Sequence, residues 1–330
     1  MDMQENILEV RDLSMSFFNQ HGELPAVNHV SFNVEKGKTL GIVGESGCGK
    51  SMTSLCVMGL YPQPQGKIVG GSILFQGQDL TKLPPRELHK IRGKGIAMIF
   101  QEPMTSLNPV LTIGDQITET ILLHEKVSKK EAKKRALEMI AMVGIPMPEK
   151  IFASCPHQLS GGMRQRAMIA MALSCSPELL ICDEPTTALD VTVQSQILSL
   201  INRLKDQTGT SVMLITHDMG VINEMADTVI VMYAGQIVEQ AETDELFAHP
   251  THPYTVGLIQ SIPPLDREVE ELNVIPGSVP MLYELPEGCL FSPRCPYATE
   301  RCRCERPDIT QTSDDHFVRC FRQMPGWEGD

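Results

Sequence analysis

The 330-residue sequence lacks any long hydrophobic run, since no apolar stretch reaches the ~18 residues that suggest a membrane-spanning helix. Its N-terminal segment, MDMQENILEV, is acidic and lacks the basic start and apolar core of a secretory signal peptide. These absences argue against an integral membrane protein and against a secreted one. We therefore expect a cytosolic protein, which could still sit on a membrane through a partner.

Positive charge is also scarce, because 28 Lys and Arg stand against 41 Asp and Glu, for a formal net charge of −13. An acidic chain disfavours sequence-independent binding to nucleic acid, which needs a basic surface. The main local exception is the run SKKEAKKR (128–135). We interpret it as the solvated face of a helix that is capped by Ser128, with Glu131 three residues later.

The residues that are present favour an α/β fold. Apolar runs typical of strands occur within 7–100 and return after residue 179, whereas 104–175 shows the 3- and 4-residue apolar spacing of helices. Strands that alternate with helices predict a mostly parallel sheet with helices on its faces, into which the helical block is inserted. After residue 250 the chain becomes proline-rich, which predicts a linker into a small cysteine-bearing tail.

The clearest motif is GESGCGKS at 44–51, which fits the phosphate-loop pattern G-x-x-x-x-G-K-[ST] at every fixed position. Its glycines let backbone N–H groups turn toward phosphate oxygens, and Lys50 supplies positive charge to the β and γ phosphates. The hydroxyl of Ser51 can ligate Mg²⁺. The predicted nucleotide-binding residues are Gly44, Glu45, Ser46, Gly47, Cys48, Gly49, Lys50 and Ser51.

A second acidic motif completes this chemistry at the end of the apolar run LLICDE (179–184). Bound Mg²⁺ usually has a second protein ligand, an aspartate that ends a nearby buried strand, and Asp183 fits that role. Glu184 follows where the chain leaves the strand, so it can polarise a water for in-line attack on the γ-phosphate. A strand that ends in Asp-Glu is ordinarily a solvated strand end, and the phosphate loop is what favours the catalytic interpretation.

A further glycine-rich helix start, LSGGMRQR at 159–166, predicts another anion site at Ser160, Gly161 and Gly162. With the two motifs above, it resembles the signature of the ATP-binding subunits of ABC transporters. In that family two subunits meet head to tail, and each ATP lies between one chain's phosphate loop and the other chain's signature. The resemblance thus explains two anion sites in one chain and implies a second ATPase subunit.

The same resemblance assigns further residues one by one. Phe17 matches the aromatic that stacks on adenine, with Phe18 as an adjacent alternative. Gln101 matches the glutamine that reaches toward Mg²⁺ and the attacking water, and His217 matches the switch histidine at the γ-phosphate. Asp190 matches the loop that crosses to the opposite site. Met163 stands where many members have glutamine, but the serine and both glycines that would contact phosphate are intact. Because Asp183 and Glu184 are intact too, we expect this subunit's own site to be hydrolytically competent.

The resemblance extends beyond the ATPase motifs, because HPYTVGL (252–258) and IPGSVP (275–280) are similar to oligopeptide/dipeptide permease subunits of the longer-tailed type. It implies an importer with two membrane subunits, an external binding protein and this chain at the cytoplasmic face of the membrane. Close relatives of that type import nickel or glutathione, so the solute stays open. Residues 102–109, just after Gln101, are expected to contact the membrane subunits, although such a loop can be a mere connector.

Five of the ten cysteines crowd into 289–320, and in a reducing cytosol such a cluster favours a metal site over disulfides. Their spacing alone leaves zinc, an iron–sulfur cluster and free thiols open. The segment GCLFSPRCPYATERC resembles the permease subunits that carry a 4Fe–4S cluster. That resemblance implies four ligands, leaving Cys304 as the spare: Cys289, Cys295, Cys302 and Cys320.

The combined prediction is a P-loop NTPase (RecA-like) α/β core with an antiparallel β subdomain, a helical insertion and a small metal-binding extension. We place the nucleotide-binding domain at 1–250, with its helical subdomain at about 102–175, and the extension at 251–330. The alternatives are a soluble ABC ATPase of DNA repair or translation, a non-enzymatic redox regulator, and an exporter subunit. A single cassette, the absence of a long coiled coil and intact catalytic motifs disfavour the first two, and the permease-like tail disfavours the last.

Overall fold

The computed structural model describes residues 5–20, 22–102, 106–187, 189–263 and 273–324. Across these ranges, no helix is long and apolar enough to cross a membrane. Of residues 102–109, which are expected to contact the membrane subunits, 102 and 106–109 belong to the described ranges and 103–105 lie outside them.

The strands alternate with helices along the chain. In chain order they are β1 Asn6–Asn19, β2 Gly22–Glu35, β3 Thr39–Val43, β4 Gly66–Phe75, β5 Gln78–Asp79, β6 Ile96–Ile99, β7 Leu179–Asp183, β8 Ser211–Thr216, β9 Thr228–Tyr233, β10 Gln236–Glu242, β11 Thr310–Ser313 and β12 His316–Val318.

Four of the helices, α3 to α6, occupy most of the chain between β6 and β7. In chain order the helices of the described residues are α1 Lys50–Met58, α2 Pro85–Ile91, α3 Ile113–His124, α4 Lys129–Met142, α5 Pro148–Phe152, α6 Gly161–Leu173, α7 Val191–Thr208, α8 Met219–Met225, α9 Thr243–Ala248, α10 Pro253–Gln260 and α11 Glu300–Cys304. Short 3₁₀ turns lie at Leu80–Lys82, Pro156–Gln158 and Phe321–Gln323.

The chain folds into two compact units, each built from segments that are distant in sequence. The first comprises the described parts of Met1–Ile7, Val34–Lys38 and Lys82–Ile215. The second comprises Leu8–Asn33, Thr39–Thr81 and the described parts of Thr216–Asp330. The domain boundary predicted near residue 250 is a different division of the chain and stays a prediction.

The first unit holds three parallel strands and the predicted helical block. Strand β7 pairs in parallel with β6 on one side and β8 on the other, and β7 is buried along its whole length. Helices α3 to α6 follow β6, as the apolar spacing predicted. Helix α4 contains the basic run, and its start is capped as expected, because the hydroxyl of Ser128 accepts a hydrogen bond from the backbone N–H of Glu131 at 3.2 Å.

The second unit contains an antiparallel sheet with strand order β2-β1-β4-β5, as the predicted antiparallel subdomain requires. A second sheet of this unit runs β11-β12-β10-β9-β3, where β3 and β9 are parallel and the pairs beyond β9 are antiparallel. The cysteine-bearing tail is therefore no mere appendage, since β12 pairs with β10. The physical reason is apolar burial: Leu290 and Phe291 share a core with Tyr233 and Tyr254.

A buried polar network fastens the tail to this sheet. Glu239 on β10 is fully buried, and its carboxylate accepts hydrogen bonds from the backbone N–H groups of Thr251 (2.6 Å) and His252 (3.0 Å). His316 on β12 contacts the same carboxylate at 2.8 Å and lies 3.3 Å from a carboxylate oxygen of Glu245. The hydrogen bond to Glu239, more than that to Glu245, raises the pKa of His316 above its usual value.

Replacing His316 with glutamine should lower the free energy of unfolding by about 2 kcal/mol, because it removes a buried hydrogen bond to the carboxylate of Glu239. Since folding raises the pKa of His316, its contribution is complete below about pH 6.5, the unfolded value, and is lost as pH rises through the folded value. Urea unfolding should therefore show a larger loss at pH 6 than at pH 9. His249→Gln, at an exposed histidine beside Glu245, is the control, and an equal loss at both pH values would contradict the assignment.

Candidate functional site

The phosphate loop connects the fully buried strand β3 to helix α1. Gly47 and Gly49 have φ values of +82° and +102°, in the left-handed region that favours glycine. A Cβ on Gly49 would lie 2.8 Å from the carbonyl oxygen of Ala26, so the loop also needs glycine for close approach. Helix α1 begins without a side-chain cap at Gly49, which suits a helix start that receives an anion.

Lys50 lies where the motif predicts a cation for the phosphates. It is 4% exposed, and its Nζ donates hydrogen bonds to the carbonyl oxygens of Gly44 (2.7 Å) and Glu45 (3.0 Å). The thiol of Cys48 lies 3.7 Å from the same nitrogen, and burial raises its pKa, so this cysteine is a neutral filler of the loop at physiological pH. Ser51 is half-buried in the first turn of α1.

The structure brings together the side chains of two predicted site residues, Glu184 and Gln101. The carboxylate of Glu184 accepts hydrogen bonds from Gln101 Nε2 at 2.9 Å and from Thr187 Oγ1 at 2.8 Å. Glu184 has φ +46°, an uncommon conformation for a glutamate, while its backbone N–H donates to Ile215 at 2.9 Å. A strained residue held by three hydrogen bonds is typical of a functional position. Sequence reasoning missed Thr187, although its place three residues after Glu184 was a usable signal.

Asp183 ends β7 and is 6% exposed. Oxygen atoms from a carboxylate, a hydroxyl and an amide are the hard ligands that Mg²⁺ prefers, so the side chains of Asp183, Ser51 and Gln101 fit this ion chemically. Asp183 and Gln101 belong to the first compact unit, and Ser51 belongs to the second.

The signature motif forms the start of α6. The hydroxyl of Ser160 accepts a hydrogen bond from the backbone N–H of Met163 at 3.4 Å, and both Ser160 and Gly161 are exposed to solvent. A Cβ on Gly162 would approach Val193 to 2.9 Å, so this position has little room for a side chain. Ser160 is thus an ordinary N-cap whose helix start faces outward, where a phosphate could reach it.

Contacts tie the signature helix to the segment that follows the catalytic strand. Gln165 is buried in α6, and its Nε2 donates a hydrogen bond to the carbonyl oxygen of Pro185 at 2.6 Å. Asp190 caps α7, since its carboxylate accepts from the backbone N–H of Val193 at 3.0 Å. The predicted crossing role of Asp190 stays a prediction beside this local one.

Two more predicted residues lie in the second unit with the phosphate loop. His217 directly follows β8 and is exposed. Phe17 is half-buried on β1, whereas its neighbour Phe18 is 37% exposed with the Nζ of Lys67 5.4 Å from its ring centre. An adenine-stacking role stays a prediction for both aromatics.

Four tail cysteines, those predicted as ligands, line one small cavity, and Cys304 does not. Cys304 is exposed, with its thiol 3.6 Å from Glu300. Burial raises the pKa of Cys289 and of Cys320 to about 11, so without a metal both are thiols at neutral pH. The cavity-lining cysteines are Cys289, Cys295, Cys302 and Cys320.

Within the described ranges, no three His, Cys, Asp or Glu side chains form a group that could hold a metal ion as the chain stands. The four thiols border a common cavity without closing on one centre. Their donor chemistry fits zinc and an iron–sulfur cluster equally well, because both are held by four thiolates. The 4Fe–4S cluster therefore stays a prediction.

Comparison with known proteins identifies two families along the chain. The model of ABC transporters matches residues 27–187, and that of the oligopeptide/dipeptide transporter C-terminal region matches 238–302. Among curated proteins, the oligopeptide transport ATP-binding protein AppD of Bacillus subtilis is 54% identical over 96% of each chain. The dipeptide transport ATP-binding protein DppD of the same organism is 51% identical over 97% of this chain and 95% of its own.

Solved structures give the same result for the fold. The dimeric bacterial ABC transporter cassette MJ0796 is 28% identical and superposes with a TM-score of 0.64 over 72% of this chain and 98% of its own. The dimeric form of that cassette bound to ADP and Pi gives a TM-score of 0.65 over the same shares.

Proposed function

Because the chain belongs to the ATP-binding subunits of ABC transporters, we propose that it hydrolyses ATP to power a membrane importer of dipeptides or oligopeptides. The single observation that carries this proposal is the presence of both family regions on one chain, with about half of all residues identical to peptide-transport subunits over nearly the full length. Peptides are favoured over nickel or glutathione because the named transport substrates of those relatives are peptides.

The described contacts support a separate role for each site residue in ATP hydrolysis. Lys50 and the loop N–H groups bind the phosphates, and Phe17 stacks on the adenine. Glu184, oriented by Gln101 and Thr187, accepts a proton from the attacking water. His217 contacts the γ-phosphate.

Mg²⁺ would be held by Ser51, Asp183 and Gln101. When bound, it neutralises charge on the β and γ phosphates. The protein's own contribution is to place these oxygen ligands on ordered elements, since Ser51 lies in the first turn of α1 and Asp183 ends β7.

The partner in this proposal is a second ATPase subunit of a different sequence. The chain has one phosphate loop at 44–51 and one signature at 159–166, so a head-to-tail pair completes two ATP sites. The exposed start of α6 at Ser160 supports this role, because an anion-binding helix start must be open to another chain's nucleotide. Two membrane subunits then hold the pair at the cytoplasmic face of the membrane, and residues 102–109 are the proposed docking segment.

Reconstitution into liposomes tests this function. The liposomes would contain both membrane subunits together with this chain, the second ATPase subunit and ATP, and the external binding protein would be added. Uptake of a labelled dipeptide, a labelled pentapeptide, nickel and glutathione would then be compared. We expect ATP-dependent uptake of a peptide. Uptake of nickel or glutathione, but of neither peptide, would support the transport function and contradict the assigned solute. ATP consumption without any uptake would contradict the transport function.

For the tail we propose a 4Fe–4S cluster with Cys289, Cys295, Cys302 and Cys320 as ligands. It is supported by their common cavity and by the exclusion of Cys304 from it. Anaerobic purification followed by UV–visible spectroscopy and iron, sulfide and zinc analysis is the test. Cys302→Ser should remove the colour and the iron, while Cys304→Ser keeps both. A colourless protein that contains zinc and no iron would exclude the cluster.

A further inference from the structure

Glu45, a variable position in the phosphate-loop pattern, is held by contacts from outside the loop as well as within it. Its backbone N–H donates a hydrogen bond to the hydroxyl of Tyr254 at 2.8 Å, and its carbonyl oxygen accepts from Lys50 at 3.0 Å. Its carboxylate accepts hydrogen bonds from the two Nη atoms of Arg294, at 2.5 and 2.9 Å. Thus Tyr254 and Arg294, 209 and 249 residues away in sequence, fix the residue that opens the turn around the phosphates.

Arg294 is itself held in place. Its side chain is only 5% exposed, its Nε donates to the carbonyl oxygen of Pro276 at 2.8 Å, and one Nη donates to that of Ile275 at 3.3 Å. Its guanidinium lies 5.7 Å from the ring centre of Tyr233 and 5.9 Å from that of Phe291. A buried guanidinium with a two-pronged carboxylate partner is a stiff, directional contact rather than a loose surface ion pair.

The same aromatic cluster borders the cysteine cavity. The ring of Phe291 packs against Tyr233 at 5.2 Å and Tyr254 at 5.4 Å, and Phe291 also lines the cavity with the four cysteines. Arg294 directly precedes Cys295. The tail and the phosphate loop therefore share one packed cluster inside the second compact unit.

We propose that Arg294 is a positioning residue for ATP, an inference that rests on the ATPase function proposed above. Arg294 acts in two ways through Glu45. It fixes the backbone that carries the loop carbonyls bound by Lys50, and it neutralises a carboxylate that would otherwise face the triphosphate with like charge. The C-terminal region thus contributes to nucleotide affinity although none of its residues belongs to the phosphate-loop motif.

A double-mutant cycle on the full-length chain tests this role. Arg294→Gln should weaken binding of Mg-ATP, measured by calorimetry, about tenfold, because it removes a charged hydrogen-bonded partner. In the assembled ATPase pair, KM should rise by a similar factor while kcat changes little. Glu45→Gln in the same chain should restore affinity to within about threefold of wild type, since the uncompensated charge is then gone. Arg303→Gln, at an exposed arginine paired with Glu300, should change nothing.

The outcomes separate the positioning role from a structural one. Wild-type ATP affinity in Arg294→Gln, or a double variant no better than the single one, would overturn the inference. If the glutamine variant does not fold, Arg294→Lys takes its place, because it keeps the charge but loses the two-pronged pair. Threefold weaker binding is then expected, and unchanged binding would contradict the role. A wild-type chain that fails to bind ATP would overturn the proposed function together with this inference, whereas the other outcomes leave that function intact.

Discussion

Replacing Glu184 with glutamine should reduce ATP turnover of the assembled pair by about 10²–10⁴-fold while ATP still binds. Glutamine keeps the size of the side chain and the oxygen that accepts from Gln101 or Thr187, but it cannot take a proton from the attacking water. The change leaves every residue of the phosphate loop at 44–51 in place, so this chain should still bind ATP. With ATP bound and uncleaved, the two subunits should remain closed, which gel filtration with Mg-ATP would detect as a persistent pair.

The matched control is Glu178→Gln, an exposed glutamate immediately before the same strand, β7. It makes the same chemical change at the opposite end of that strand and should leave turnover within about twofold of wild type, as surface substitutions usually do. Undiminished hydrolysis in Glu184→Gln would refute the assignment of the general base. Loss of ATP binding in that variant would show that the side chain has a structural role instead.

Ser160→Asp should lower ATP turnover of the assembled pair about 10²-fold while this chain still binds ATP at its own phosphate loop. Aspartate is as good an N-cap as serine, so α6 should keep its start. In the proposed head-to-tail pair, however, the added negative charge would face the γ-phosphate of the ATP bound by the partner subunit. Steady-state turnover of the pair and calorimetry of the single chain would measure the two effects separately.

Helix α4 supplies the control for this substitution, because Ser128 is also an exposed N-cap that accepts a backbone hydrogen bond at its start. Ser128→Asp makes the same change at a helix start with no predicted nucleotide, and turnover should be preserved. Equal turnover of the Ser160→Asp and wild-type pairs would mean that the signature helix does not contact a nucleotide. That result would remove the reason for a second anion site in the chain.

The sequence was most informative where chemistry lies in contiguous residues. The phosphate loop, the run that ends in Asp183 and the cap at Ser160 each form from neighbouring residues, so their local geometry followed from spacing and flanking patterns. The buried parallel strands were also recognisable, since continuous apolar runs of this length favour them. Family resemblance then supplied residues such as Gln101 that no local pattern would have singled out.

Contacts between distant segments were not predictable in this way. The pair of Arg294 with Glu45 joins residues 249 positions apart, and nothing in either local sequence specifies the other. The strand pairing of β12 with β10 was missed for the same reason. A proline-rich stretch ordinarily marks a linker, but here the buried side chains beyond it, such as Phe291, return the chain to the core. Burial of apolar surface outweighed what local composition indicated.

If each ATP is completed by two different chains, as proposed, the most direct test is the ATPase rate of this chain alone and with the second subunit. At nanomolar concentration the isolated chain should bind ATP yet hydrolyse almost none of it. Titrating in the second ATPase subunit should then raise turnover to a plateau at an equimolar ratio. Full-speed hydrolysis by the isolated monomer, unchanged by that titration, would contradict the shared site and the roles assigned to the signature residues.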